Sequence, residues 1–80
     1  MSNMRDEFIG ALRLNFKASI EKHRVNAENI MCNSVGIGEH GDVMGEIEKE
    51  LGFMSDYSDK LEMLDYFEAE VGPNKTVLKG

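Results

Sequence analysis

One cysteine, one proline and no tryptophan occur in 80 residues, and each scarcity removes a class of protein. Cys32 alone cannot form an internal disulfide, and with His23 and His40 it falls short of a zinc framework. A lone unpaired thiol suits a reducing compartment rather than a secreted scaffold. No stretch approaches the roughly 18 apolar residues of a membrane span. Met1 to Arg13 alternates charged with apolar side chains and lacks the apolar core of a signal peptide. These absences lead us to expect a chain that works in a cytoplasm or in a soluble assembly, with no contact to membrane. Basic residues are also few: 9 Lys and Arg stand against 15 Asp and Glu, for a net charge of -6. Phosphate binding needs clustered cations, so nucleic acid is not expected as the direct ligand.

What is present is an amphipathic pattern and an uneven charge. A chain this short forms one domain, 1-80, and without a disulfide or a metal its stability must come from helix packing, completed or not by a second chain. Up to Asn33 five cations oppose four anions, a balance of +1; from Ser34 to Val71 eleven acids oppose Lys49 and Lys60, a balance of -9. Lys75 and Lys79 return two positive charges in the tail. Two such halves attract each other side by side.

The periodicity predicts an all-α fold, an antiparallel two-helix hairpin with coiled-coil-like packing that could complete a four-helix bundle by dimerisation. The first helix is expected over about 4-31, with Ser2 or Asn3 as N-cap and Asp6 and Glu7 in its first turn. At 100° per residue Phe8, Ile9, Leu12, Phe16, Ile20, Ala27, Ile30 and Met31 share one stripe. Asn33, Ser34, Gly36 and Gly38 break it, which places a turn at about 33-40. The second helix is expected over about 41-71, with Asp42 as cap or in the first turn, Gly72-Pro73 as terminator and a loose tail over 72-80. There Met44, Ile47, Leu51, Met54, Leu61 and Leu64 recur in steps of three and four, interrupted at Tyr57 and Ser58. Across an antiparallel hairpin the numbers of facing residues add to a constant. Ile30 with Met44, Ala27 with Ile47, His23 with Leu51 and Ile20 with Met54 add to 74, and Phe16 with Tyr57 and Leu12 with Leu61 to 73. The series continues through Ile9 with Leu64 to an ion pair of Arg5 with Glu68.

The residues that could carry chemistry have plainer readings. Glu39, His40 and Asp42 offer ligand or acid-base groups, but neighbours in a tight turn rarely converge on one ion, and a helix start explains them. His23 lies on the apolar stripe, where a polar residue fixes register and seeks a hydrogen-bond partner. Cys32 has no neighbouring base to activate it. Gly36, Ile37 and Gly38, with Glu39 and His40, read as a turn rather than a phosphate loop, which needs more glycine and a basic side chain. No catalytic, metal or cofactor set can be assembled, so no enzyme and no cofactor are expected.

Glycine inside a helix costs on the order of 1 kcal/mol relative to alanine, and Gly45 and Gly52 lie seven residues apart on a line opposite the stripe. Leu14 and Val25 leave the first stripe, and Phe53, Met63, Tyr66 and Phe67 widen or leave the second. The candidate partner surface is therefore Gly45, Gly52, Asp59, Met63, Tyr66 and Phe67, for a protein partner or a second copy in a homo-oligomer.

Asn33 to His40, above all Val35-Gly-Ile-Gly-Glu-His40, with Asp42 and Asp59-Lys-Leu-Glu-Met-Leu-Asp-Tyr-Phe67, resembles small uncharacterised helical-hairpin proteins of large tailed bacteriophages, the T-even-like marine ones included. With Lys17 to Arg24 the resemblance covers about three quarters of the chain. The family places proline after the histidine, where this chain has Gly41, which leaves the start of the second helix less fixed. The resemblance implies a viral protein of the host cytoplasm or the virion and transfers no functional residues. The expected function is that of a non-enzymatic accessory or structural protein acting through helix contacts. The alternative is an acidic inhibitor or nucleic-acid mimic displaying Glu46, Glu50, Asp56, Asp59, Glu62, Asp65, Glu68 and Glu70 to a basic site on a host enzyme or defence complex.

Overall fold

Asn3 starts the first helix: its side-chain Oδ1 accepts from the Asp6 amide at 2.8 Å and its carbonyl from the Glu7 amide at 3.1 Å. The side-chain bond satisfies one of the donors that a helix start leaves open, and the carbonyl accepts the first regular bond of the helix. Asp6 and Glu7 then lie at the positive end of the helix. Asp42 does the same for the second helix, accepting from Gly45 N and Glu46 N at 3.0 Å each.

The computed structural model describes residues 3–37 and 42–69, without the side chains of 34–37 and 69, and has two helices, α1 (Met4–Ile37) and α2 (Val43–Ala69). Among the described residues there is no strand. The helices pack antiparallel along one side of each, an all-α hairpin one layer thick, with principal extents of 56 × 29 × 13 Å.

Both helices depart from the expected bounds. The first runs on to Ile37 rather than ending near Met31, so Asn33, Gly36 and Ile37 are helical and not part of a turn. Asn33, expected to break the helix, instead sits within it and donates its side-chain amide to the Asn29 carbonyl at 3.0 Å and to the Asn29 side chain. Gly38, Glu39 and His40 lie outside the described residues, as does the tail from Glu70. α2 begins at Val43, with Asp42 before it, rather than at about 41, and is described as far as Ala69; its expected end at 71 lies outside the described residues.

The side chains show where the helices meet. Apart from Ser19 and Gly45, every buried or half-buried residue described falls on two series. These are Ile9, Arg13, Phe16, Ile20, His23, Ala27 and Ile30 on α1, and Val43, Ile47, Glu50, Met54, Tyr57, Leu61 and Leu64 on α2. Each alternates steps of four and three without a break, and facing members add to 73 or 74, as expected for an antiparallel pair. The Phe16 and Tyr57 rings lie 5.9 Å apart. Tyr57 thus continues the series that sequence reading had interrupted there.

Three seam positions were misassigned, and two residues expected on the stripe of the first helix, Phe8 and Met31, are exposed. Val43 occupies the place expected for Met44, Glu50 that of Leu51, and Arg13 that of Leu12; Met44 is 76% exposed and Leu51 48%. Choosing only apolar residues skips charged ones that the strict spacing requires. Arg13 meets that requirement by laying its stem along the seam while its Nη2 reaches Asp65 at 3.2 Å and Glu68 at 2.5 Å. Glu68 thus pairs with Arg13, and Arg5 Nη2 donates to the Phe67 carbonyl at 2.8 Å.

Only Ala27 at 4% and Leu64 at 7% count as buried among the described residues. Leu64→Ala is expected to cost about 2–4 kcal/mol in urea unfolding, whereas Leu14→Ala, on an exposed site, should change stability by less than about 0.5 kcal/mol. Equal effects would refute the seam.

Candidate interaction surface

Midway along the seam, the polar side chains His23 and Glu50 face each other. His23 Nδ1 and Glu50 Oε1 are 2.6 Å apart, with the two side chains 13% and 16% exposed. Asn26 Nδ2 also donates to Glu50 Oε1, at 3.3 Å. The imidazole is flanked by Phe53, ring centroids 4.5 Å apart, and by Tyr57 at 6.1 Å and nearly parallel. Donation from His23 holds the Glu50 carboxyl below its ordinary 4.5; partial burial opposes this, and Asn26 and the nearby Lys22 charge assist. The imidazole is therefore engaged in holding a register, the role its place on the stripe suggested. Sequence reading missed Glu50, although its spacing of seven from both Val43 and Tyr57 was the available signal.

The candidate partner surface is spread over the outside of α2. Gly45, Gly52, Asp59 and Tyr66 recur every seven residues on one line, facing away from α1, and Met63 and Phe67 lie to one side of it. Asp59, Met63, Tyr66 and Phe67 are exposed. The two glycines differ. A Cβ on Gly45 would meet the Asp42 carboxylate, with its Cγ only 2.6 Å away, so Gly45 makes room for the helix cap. A Cβ on Gly52 would meet nothing within 4 Å.

The acids of the alternative reading do not share a face. Glu50 is turned into the seam, Asp65 and Glu68 hold Arg13, and Glu70 lies outside the described residues. On α1, Arg24 bonds Glu21 at 2.7 Å and approaches Glu28 at 3.8 Å, and its hydrogen bond lowers the Glu21 carboxyl below the usual range. Among the described residues no group of three His, Cys, Asp or Glu side chains is placed to hold a metal ion, and no helix is long and apolar enough to cross a membrane.

No family model, curated protein or solved structure matches this chain.

Two predictions follow from the geometry. Because the folded Glu50 carboxyl titrates below its unfolded value, the stability it adds is complete above about pH 4.5 and is lost as pH falls through the lowered folded value. Thermal melts from pH 7 to pH 3 should therefore show the gap between the wild type and Glu50→Gln closing in that range; a constant gap would refute the coupling. Gly52→Ala should stabilise the hairpin by about 1 kcal/mol, whereas Gly45→Ala should destabilise it by disturbing the Asp42 cap. Circular-dichroism melts read both.

Proposed function

We propose that this protein is a non-enzymatic accessory or structural protein of a tailed phage that acts by helix-to-helix contact, with a second copy of itself or with a protein partner. One observation carries the reading: among the described residues the single-layer hairpin leaves twelve large apolar side chains exposed against two buried ones. A stable domain ordinarily closes two layers around its core. Here each helix contributes one stripe, and the radius of gyration of 17.6 Å exceeds the roughly 12 Å of a compact chain of this length. A second helical layer would cover what the first leaves open.

The non-enzymatic part is supported by the engagement of His23, the one imidazole among the described residues, with Glu50 inside the seam. The acidic-mimic reading draws less support, because its carboxylates are divided between seam, ion pairs and several faces. The test is the mass of the purified protein by light scattering from micromolar to millimolar concentration, alongside affinity capture from infected cells. A mass above the 9.0 kDa of one chain, or a stoichiometric captured protein, is the expected result. A strict monomer with no retained partner would overturn the proposal.

A further inference from the structure

Apart from the line on each helix that faces away from the other, the seam's seven-residue repeat sorts the remaining positions onto two flanks. These form two broad faces of the hairpin that differ in charge and in apolar content.

On the first face Arg5, Lys22, Lys49 and Lys60 oppose Glu46 and Asp56, a net of +2. On this flank of α1, where Phe8 and Leu12 are followed by Asn15, Ser19, Asn26, Asn29 and Asn33, there is no carboxylate. On the opposite face Glu7, Glu21, Glu28, Glu48, Glu62 and Asp65 oppose only Lys17 and Arg24, a net of -4. All three exposed phenylalanines, Phe8, Phe53 and Phe67, belong to the first face. Phe8, Leu12, Met63 and Phe67 also fall at nearly one level of the register, near the open end, where Ile9 meets Leu64. The exposed Leu14, Leu51, Met44 and Met31 of the acidic face are strung along its length.

We infer that the first face is covered by a second copy of this chain, the two hairpins stacked about a two-fold axis parallel to the helices. This rests on the self-association branch of the function proposed above. Charge favours the face, since two faces of net +2 repel each other less than two of net -4. Area is sufficient: two helices that overlap over about 40 Å and are together about 20 Å wide present about 800 Å² per protomer, the usual size of a stable interface. The apolar cluster selects the axis. An axis along the helices lays Phe8 and Leu12 of one copy over the Met63 and Phe67 level of the other. An axis across them would set that cluster against Asn26, Asn29 and Asn33. Either axis makes every neighbouring helix antiparallel, as in an up-down-up-down four-helix bundle, so the apolar cluster alone decides between them.

Sedimentation equilibrium of the full chain tests the face. Wild type should be a dimer. Met63→Glu and Phe67→Glu should each weaken it by at least about tenfold in Kd, and Leu14→Glu and Leu51→Glu by less than about twofold. Asn15→Leu, which extends the apolar cluster and removes no contact, should tighten the dimer by about fivefold, so the inference does not depend on variants that might unfold. Spin labels on the native Cys32, which is exposed, test the axis: about 25–30 Å between labels for the parallel axis, and beyond about 40 Å for the crossed one. A wild type monomeric at millimolar concentration overturns the inference, and a captured partner would still leave the broader function standing. A dimer sensitive to the acidic-face variants alone, or labels beyond 40 Å, overturns the pairing while leaving self-association intact.

Discussion

Two rods touching along one stripe can shield from water only the side chains that fall on that stripe. Everything else about this protein follows from that restriction. Each helix spends seven positions on the contact, spaced by alternating fours and threes, and the remaining positions face outward. The seam has to supply cohesion and registration together, because no third element crosses it. Cohesion comes from Phe16 against Tyr57, from Leu64 and Ala27, and from the stem of Arg13, whose charge is carried out to Asp65 and Glu68.

Registration comes from the polar layer. A slip of one heptad would bring His23 level with Tyr57 or Val43, and Glu50 level with Phe16 or Ile30, leaving a carboxylate facing an apolar partner. A half-buried ionisable pair is weak as a source of stability but effective as a device that rejects wrong pairings. The described ends of the helices fit this register, Met4 of α1 being level with Ala69 of α2. At the other end Ile30 is level with Val43, so the last seven residues of α1 run past the start of α2.

The same restriction explains the surface. Thirty-four and twenty-seven helical residues cannot place all their apolar side chains on a stripe that takes two residues in seven. The excess is not scattered evenly: the phenylalanines gather on the flank where acids are fewest, and the acids on the other. A layer with one nearly neutral, aromatic side and one acidic side is suited to be covered on the first and solvated on the second.

The sequence by itself determined the helical class, the antiparallel reversal and the facing sum of 73 to 74, because these depend on apolar spacing along one chain; it narrowed the caps to Ser2 or Asn3 and to Asp42 as cap or first-turn residue, and the hydrogen bonds of the structure select Asn3 and Asp42. It was enough to pair Phe16 with Tyr57 and Ile9 with Leu64, and to mark His23 as a polar seam residue. Only the tertiary structure decided that Glu50 and not Leu51 answers His23, that Val43 replaces Met44, that Arg13 enters the seam while Leu12 leaves it, and that α1 continues to Ile37. A carboxylate or guanidinium is acceptable at a contact only when a partner on the other helix satisfies it, and the presence of that partner is a property of the packed pair rather than of either helix alone.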